Sequence, residues 1–369
     1  MGKISSLGKA YFLYFLILVG LVVFRILSSL GMLSIFGGTA DYIFTFIIQV
    51  LILFLLSVSG FSFLTKKDKN TVFREYKFNK ISKKLIFLCV LMGFVVYFLN
   101  SYIASFFYFI LSLFGYSSSN LISTHTVYPI WMLILNLIFT AVLPAVCEET
   151  AHRGMLLSQI GKRNTVMAII ISSLLFGLLH INIYQFFYAT ILGVLLAKLT
   201  LQTNSIYPAM IIHFMNNALN VYMSFASVNN LFSAKLVNLF YAMASMNTYF
   251  GILFLFLFYV FLLLCLKFLF DSLKRETNRM KLNALREGLG RFITRKIYFD
   301  ELECVKNNTG QKEITEVDAS IISDFISQNS KKIEKENIKN GVFYEKIFLF
   351  ASFALSFITT IFTFIWGII

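Results

Sequence analysis

Charged residues are scarce in this chain of 369 residues. They make up 14% of it, whereas a globular domain contains about a quarter. The hydrophobic share is 58%, with 43 Phe, and the mean hydropathy is +0.77. Because water does not tolerate so much apolar surface, this composition excludes an ordinary soluble domain as well as a disordered or collagen-like chain. It predicts a polytopic membrane protein.

Cysteine is also rare and follows no pattern. The sequence has no C-x-x-C spacing, so it indicates neither a disulfide framework nor a zinc ribbon. The four cysteines are Cys89, Cys147, Cys265 and Cys304.

Acidic residues are outnumbered, with 18 Asp and Glu against 32 Lys and Arg and a formal net charge of +14. Most of the excess lies beside apolar runs, so we interpret it as a topology signal and expect no nucleic-acid partner. The basic loop 65–84 and the polar segment 271–346 are predicted to be cytoplasmic. Residues 115–126 contain no Lys, Arg, Asp or Glu, and we predict that they lie outside.

Apolar runs of the length that crosses a bilayer, about 20 residues, recur along the chain, and three shorter ones lie in its middle. The predicted fold class is therefore an all-α, polytopic membrane helical bundle with about nine transmembrane helices. The predicted spans are 10–36, 42–64, 85–114, 128–147, 166–181, 186–201, 206–223, 250–270 and 347–369.

Ionisable side chains concentrate after the fourth of these runs, at Glu148, Glu149, His152 and Arg153. Inside a membrane helix each would cost roughly 2.5–3.5 kcal/mol on insertion scales, which makes the cluster a functional candidate. Residues four apart share a helix face, so Glu149 can pair with Arg153. Glu148 is then available for chemistry or for His152. The alternative is that this segment marks the membrane–water boundary, where charges are ordinary.

Histidine is the rarest residue type among the candidates for a functional site, with four in the chain. We expect His125 in an outer loop, without a role, whereas His180 and His213 lie in separate apolar runs. In a helix hairpin that turns at 161–164, Glu148 and His180 both lie about 24 Å from the turn, provided that the first helix continues to about residue 159. His213 lies only about 12 Å past its own turn and needs a broken helix or an offset helix start to be level with them.

Three motifs contain these residues, in the order Glu148-Glu149-x-x-x-Arg153, Phe176-x-x-x-His180 and His213-x-x-x-Asn217. They resemble the motifs of the CAAX-protease and bacteriocin-processing (CPBP, or Abi) family. That family consists of intramembrane proteases similar to type II CAAX prenyl endopeptidases, with a core of about eight helices. The resemblance covers about 144–217 and leaves the role of the chain after residue 270 open.

The resemblance implies a peptidase whose catalytic residues are Glu148, Glu149, Arg153, His180, His213 and Asn217. Glu148 would activate water, since a carboxylate withdrawn from water is a stronger base, and Glu149 would pair with Arg153. Two forms of the mechanism are left open. In one, Glu148, His180 and His213 bind zinc, a two-His, one-carboxylate set with an open position. In the other no metal takes part, and His213 and Asn217 donate hydrogen bonds to the oxyanion.

The expected partners are the lipid bilayer and a membrane-associated peptide or protein substrate, in a multi-pass protein of the cell membrane. CAAX-type cleavage, bacteriocin or leader-peptide processing and immunity are the candidate roles. Two alternatives are a non-catalytic bacteriocin-immunity or scaffold protein and, with less support, a transporter, which would also use intramembrane Glu, Arg and His.

These features divide the chain into five predicted parts. Residues 1–127 hold the N-terminal helices and the basic loop, and 128–223 form the CPBP-like core with the three motifs. An outer loop and a further helix follow at 224–270, then the polar segment 271–346 and a last helix at 347–369.

Overall fold

Helices are the regular elements of the computed structural model, which describes residues 4–31, 40–117, 129–245, 248–307 and 342–366; no strand occurs within these ranges. His125 lies outside them, as does most of the predicted outer loop. The helices are α1 (Ser6–Ser29), α2 (Ala40–Thr65), α3 (Lys69–Glu75), α4 (Lys83–Ser112), α5 (Ile130–Gly161), α6 (Thr165–Leu179), α7 (Ile183–Thr203), α8 (Tyr207–Val228), α9 (Phe232–Ser245), α10 (Thr248–Asn307) and α11 (Val342–Trp366).

Seven helices in the described ranges are long and apolar enough to cross a membrane: α1, α2, α4, α5, α7, α10 and α11. The prediction of an all-α polytopic bundle is confirmed, whereas the count of nine spans is not. The two remaining predicted spans, 166–181 and 206–223, correspond to α6 and α8. With 15 residues, α6 is only about 22 Å long, which is shorter than the roughly 30 Å hydrocarbon core.

The helix α5 runs without a break through the acidic pair and ends at Gly161. This confirms that the helix of Glu148 continues past residue 159, so Glu148 lies in its interior. Two stretches of α5, Leu137–Val142 and Thr150–Leu156, have π-helical geometry. Such stretches are rare and often mark functional sites in helices.

Two clusters of buried side chains hold the helices together. The first joins α1, α2, α5 and α6 and contains Tyr14, Leu53, Met155 and Leu175. The second joins α4, α7, α8 and the first part of α10. The polar motifs lie on α5, α6 and α8, so both clusters contribute helices that position the site.

At one end of the bundle, α3 is attached to α5 through Glu75. Its carboxylate accepts hydrogen bonds from Lys67 and, at 3.0 Å, from Gln159 Nε2. Burial raises the pKa of the Glu75 carboxyl, but these hydrogen bonds and the charge of Lys162 outweigh it and hold the pKa below its usual value. The basic loop is therefore fixed beside the end of α5.

The chain forms two compact units, one of residues 1–274 with 340–369 and one of residues 275–339. The described part of the second unit is helical and continues α10 to Asn307. It contains a weak ion pair of 3.8 Å between Arg279 and Glu276.

Candidate active site

The acidic pair lies in the middle of α5 and is buried. Glu148 and Glu149 end an α-helical turn, and Arg153 lies in the π-helical stretch that follows. Glu148 is 7% exposed, whereas Glu149 and Arg153 are 0% exposed. These side chains are therefore inside the bundle and not on its surface.

Arg153 neutralises Glu149 at the four-residue spacing that the sequence predicts. Its Nη1 donates to Glu149 Oε1 at 3.1 Å, and its Nε lies 3.1 Å from Oε2, an ion-pair contact. Nη2 donates to the carbonyl oxygen of Gly193 on α7 at 3.1 Å. A buried charge is tolerated only when paired and hydrogen-bonded, so this pair also fixes α7 against α5.

The ring of Phe176 on α6 is the centre of the site. The guanidinium of Arg153 lies 4.3 Å from its centroid, within the range of a cation–π interaction. The rings of His152, His180 and His213 meet it edge-on, with centroid distances of 5.1, 5.3 and 5.5 Å. One aromatic side chain thus holds a residue from each of the three motifs in place.

His213 connects the first and third motifs. Its Nδ1 donates to Glu149 Oε1 at 2.9 Å, and its Nε2 lies 4.0 Å from Glu148 Oε2. With Nδ1 carrying the proton, a neutral His213 presents a bare Nε2 towards Glu148. His213 is level with the acidic pair, on the second turn of α8, which begins at Tyr207.

Glu148 has one occupied and one free oxygen. Its Oε1 accepts a hydrogen bond of 2.8 Å from Gln49 Nε2 on α2. Its Oε2 is buried and has no hydrogen-bond partner within the described residues. Buried polar atoms are normally satisfied, so an orphaned carboxylate oxygen indicates a place for a water or a substrate atom.

A pocket of about 190 Å³ lies beside Glu148. Its polar lining comes from Arg25, Thr45, Gln49, Glu148 and His180. Apolar side chains form the rest of its walls: Leu21, Phe44, Ile48, Leu53, Leu179 and Ile181.

His180 shares this pocket with Glu148, but it does not lie deep within a helix as the sequence suggested. The helix α6 ends at Leu179, and His180 is its C-cap. The following residue, Ile181, has a positive φ of 46°, and the side chain of Asn182 caps α7. His180 therefore sits at a chain reversal, with its Nδ1 3.0 Å from the carbonyl oxygen of Phe176.

His152 and Asn217 contact the site indirectly. The Nδ1 of His152 bonds the backbone oxygen of Glu148 at 2.8 Å, so His152 does not pair with the Glu148 carboxylate. Asn217 donates to the carbonyl oxygen of Thr140 at 3.2 Å and accepts from Asn216. It joins α8 to α5, and among the described residues it makes no hydrogen bond to Glu148 or to a histidine.

The predicted zinc ligands are not assembled as a set. Within the described ranges, no group of three or more His, Cys, Asp or Glu side chains is arranged to hold a metal ion. His213 has one nitrogen bound to Glu149, and Glu148 has one oxygen bound to Gln49. Zinc at this site stays a prediction.

Two contacts of this site come from residues that the motifs do not include. Gln49 lies in the apolar run of α2, and Tyr14 on α1 has its hydroxyl 2.9 Å from His152 Nε2 while donating to the carbonyl oxygen of Leu175. A search for amides inside predicted spans would have found Gln49. Tyr14 gives no such signal, because tyrosine is common in membrane helices.

Buried Glu, Arg and His side chains around a pocket in a helical membrane bundle are what an intramembrane enzyme requires, and a transporter can share this arrangement. Residues 129–219 match the family model for the type II CAAX prenyl endopeptidase Rce1-like proteins. The match covers about a quarter of the chain and includes all three motifs, so this part of the chain is CAAX-protease-like, as the motifs predicted. Comparison with curated proteins and with solved structures gives no match.

Proposed function

We propose that this protein is an intramembrane endopeptidase in which Glu148 activates a water for attack on a peptide bond. The observation that carries the proposal is the orphaned Oε2 of Glu148, buried beside a pocket and 4.0 Å from His213 Nε2. A water within hydrogen-bond distance of both atoms fits this gap. It would donate one hydrogen to each, which leaves an oxygen lone pair to attack a carbonyl carbon.

The remaining groups have distinct roles in this proposal. Glu148 takes a proton as the water oxygen bonds to the carbonyl carbon, and it returns the proton to the leaving amine. Gln49 orients the carboxylate, while Glu149 and Arg153 hold His213 in its tautomer. His180, when protonated, can donate from Nε2 to the oxyanion.

The proposed substrate is a membrane-associated peptide or protein. CAAX-type cleavage follows from the family match, and bacteriocin or leader-peptide processing has the same chemistry. The pocket supports an apolar segment, because most of its lining residues are apolar.

The experiment is cleavage of a fluorogenic peptide library by the purified protein in lipid nanodiscs, with Glu148→Gln as the matched variant. We expect cleavage by the parent protein and none by the variant, with both folded. Parallel reactions with a chelator decide between the zinc and the metal-free version. Equal cleavage by both proteins would overturn the proposal, and Glu148-dependent ion or solute flux without cleavage would favour a transporter.

A further inference from the structure

The helix α11 lies outside the range that matches the family, and the proposed hydrolysis gives it no role. It nevertheless packs against helices of the site, because it contacts α1, α6 and α7. Small side chains at four-residue spacing allow membrane helices to approach closely, and three of them are buried on α11: Ser352, Ser356 and Thr360. The helix is thus part of the bundle around the site.

Two polar contacts attach α11 to the chain on either side of α6. Near the start of α11, the Glu345 carboxylate binds Arg163, just before α6, with Arg163 Nη2 2.8 Å from Oε1. Near its end, Thr363 Oγ1 accepts a hydrogen bond of 3.3 Å from the backbone amide of Ile183, just after α6. Of these two contacts, the second meets the chain reversal that carries His180.

This reversal contains a strained residue. Ile181 has a φ of 46°, in the left-handed region, which is a genuine outlier for a β-branched side chain. Such a conformation persists only where the surrounding structure holds it in place. Because Ile181 and His180 both line the pocket, the strained backbone lies directly beside the site.

The first amides of α7 show what holds the reversal. The first amides of a helix have no acceptor within that helix and need one from elsewhere. Asn182 Oδ1 accepts from the amides of Tyr184 and Gln185 at 2.9 and 3.2 Å. The remaining one, that of Ile183, donates to Thr363. Since a backbone donor without an acceptor is costly in a membrane, the acceptor from α11 completes the cap.

We propose that Thr363 is a positioning residue for the hydrolysis: by completing the cap of α7, it holds the reversal that places His180 in the pocket. This inference rests on the proposed function, in which protonated His180 donates to the oxyanion. Without the Thr363 hydroxyl, the left-handed conformation of Ile181 loses one of its restraints, and His180 moves with the relaxing backbone. A displaced group that acts in the transition state lowers kcat more than it changes KM.

The test removes the Thr363 hydroxyl from the full chain in lipid nanodiscs. Thr363→Val keeps the shape of the side chain without the acceptor, and Thr363→Ala removes the acceptor together with the methyl group. We expect kcat to fall about tenfold in both variants, with KM within about twofold. Thr363→Ser, which keeps the hydroxyl, should recover most of the loss.

Two controls separate positioning from the general packing of α11. Thr359→Val removes a hydroxyl one turn earlier, where it donates to the carbonyl oxygens of Leu355 and Ser356 in the same helix, and it should leave kcat unchanged. Glu345→Gln weakens the other attachment, and it should lower the thermal midpoint with kcat within about twofold of the parent value. A fall of kcat in either control equal to that in Thr363→Val would overturn the proposal.

Hydrogen exchange followed by mass spectrometry gives a readout that does not need activity. In the peptide that contains the Ile183 amide, we expect at least about fivefold faster exchange in Thr363→Val and no change in Thr359→Val. A parental kcat or unchanged exchange in Thr363→Val would overturn the role of Thr363, as would failure of both the Val and the Ala variant to fold. If exchange responds as expected but the parent protein cleaves no peptide, the proposed hydrolysis is refuted and the capping contact stands.

Discussion

Glu148 and Glu149 are neighbours in sequence but have different surroundings. Both oxygens of Glu149 face the guanidinium of Arg153, and one of them also accepts from His213. Glu148 has a single hydrogen bond, from Gln49, and keeps one oxygen free. The oxygen of Glu148 that contacts no cation of α5 suits a base, and the carboxylate of Glu149, which is ion-paired with Arg153, suits a structural anchor.

The role of Gln49 can be tested by replacing it with leucine, which has a similar size and no donor. We expect kcat to fall by about 10- to 100-fold with KM within about twofold. A carboxylate displaced by about an ångström is no longer correctly placed to take a proton from the water. Gln49→Asn, which keeps the amide on a shorter side chain, should recover part of the loss. The measurement is steady-state cleavage in nanodiscs, and a parental kcat in Gln49→Leu would refute the positioning role.

Arg153 should matter for folding more than for chemistry. Arg153→Met keeps most of the packing on Phe176 but leaves Glu149 as an unpaired buried charge, which costs about 3–5 kcal/mol. We expect a much lower thermal midpoint and little monodisperse protein in detergent.

Adding Glu149→Gln to Arg153→Met should recover more than half of that loss, because the uncompensated charge is gone. Thermal unfolding of the two variants and the parent protein measures this. A single variant as stable as the parent, or a double variant no better than the single, would show that the ion pair is not what holds α7 to α5.

The sequence predicted Glu148, Glu149 and Arg153 as a unit because their partnership is local, within one helix turn or so. It could mark Gln49 as an amide inside an apolar run but could not pair it with Glu148, which lies 99 residues away. A lone amide in an apolar run has no spacing relation to a motif. Only the packing of α2 on α5 brings the two together.

At the scale of elements, α6 and α7 approach closely because Gly177 has no side chain. A Cβ there would lie 2.0 Å from Thr190 Oγ1 and 2.7 Å from the backbone oxygen of Phe186. Since α6 carries Phe176 and His180, this contact also sets the position of the second motif.

Gly177→Ala should therefore destabilise the protein by about 1–3 kcal/mol, as overpacking does. The matched control is Gly161→Ala, where the nearest atom to a new Cβ is that of Ala168 at 3.9 Å, and it should be close to neutral. The two thermal midpoints are compared in one detergent. Equal midpoints would mean that the α6–α7 contact is not as tight as the structure has it.

The end of α6 shows why helix boundaries were harder to predict than helices. Hydropathy continues through Ile181, so the apolar run predicted a span to that residue. The chain turns at Ile181 instead, and Asn182 starts α7 by accepting hydrogen bonds from the amides of Tyr184 and Gln185. Asn182 is a residue type that caps helices, so the sequence did indicate this boundary. A hydropathy profile does not include capping.

At the scale of the whole molecule, the pocket and the basic loop lie towards opposite ends of the bundle. The loop is fixed near Gln159 at the end of α5, whereas the pocket includes Arg25 near the end of α1 and Ile181 after α6. If the basic loop is cytoplasmic, as its charge predicts, the pocket lies in the outer half of the membrane.

Cysteine labelling in intact cells checks this orientation. In a background without the four native cysteines, a membrane-impermeant maleimide should label Thr45→Cys, in the pocket, and not Lys77→Cys, in the basic loop. Permeabilised cells should give labelling of both. Labelling of Lys77→Cys alone in intact cells would show that the orientation is opposite to the predicted one, with the pocket towards the cytoplasm.

The central claim, that the Glu148 carboxylate activates the water, is tested most directly by chemical rescue. Glu148→Ala empties the carboxylate position beside a pocket of about 190 Å³, which has room for a formate ion. We predict that the cleavage rate of this variant falls by at least about 100-fold and rises again with added formate in a concentration-dependent way. Glu148→Gln, whose amide still fills the position, should stay inactive with formate. Cleavage by purified Glu148→Ala at a rate within about tenfold of the parent protein, without formate, would contradict the account.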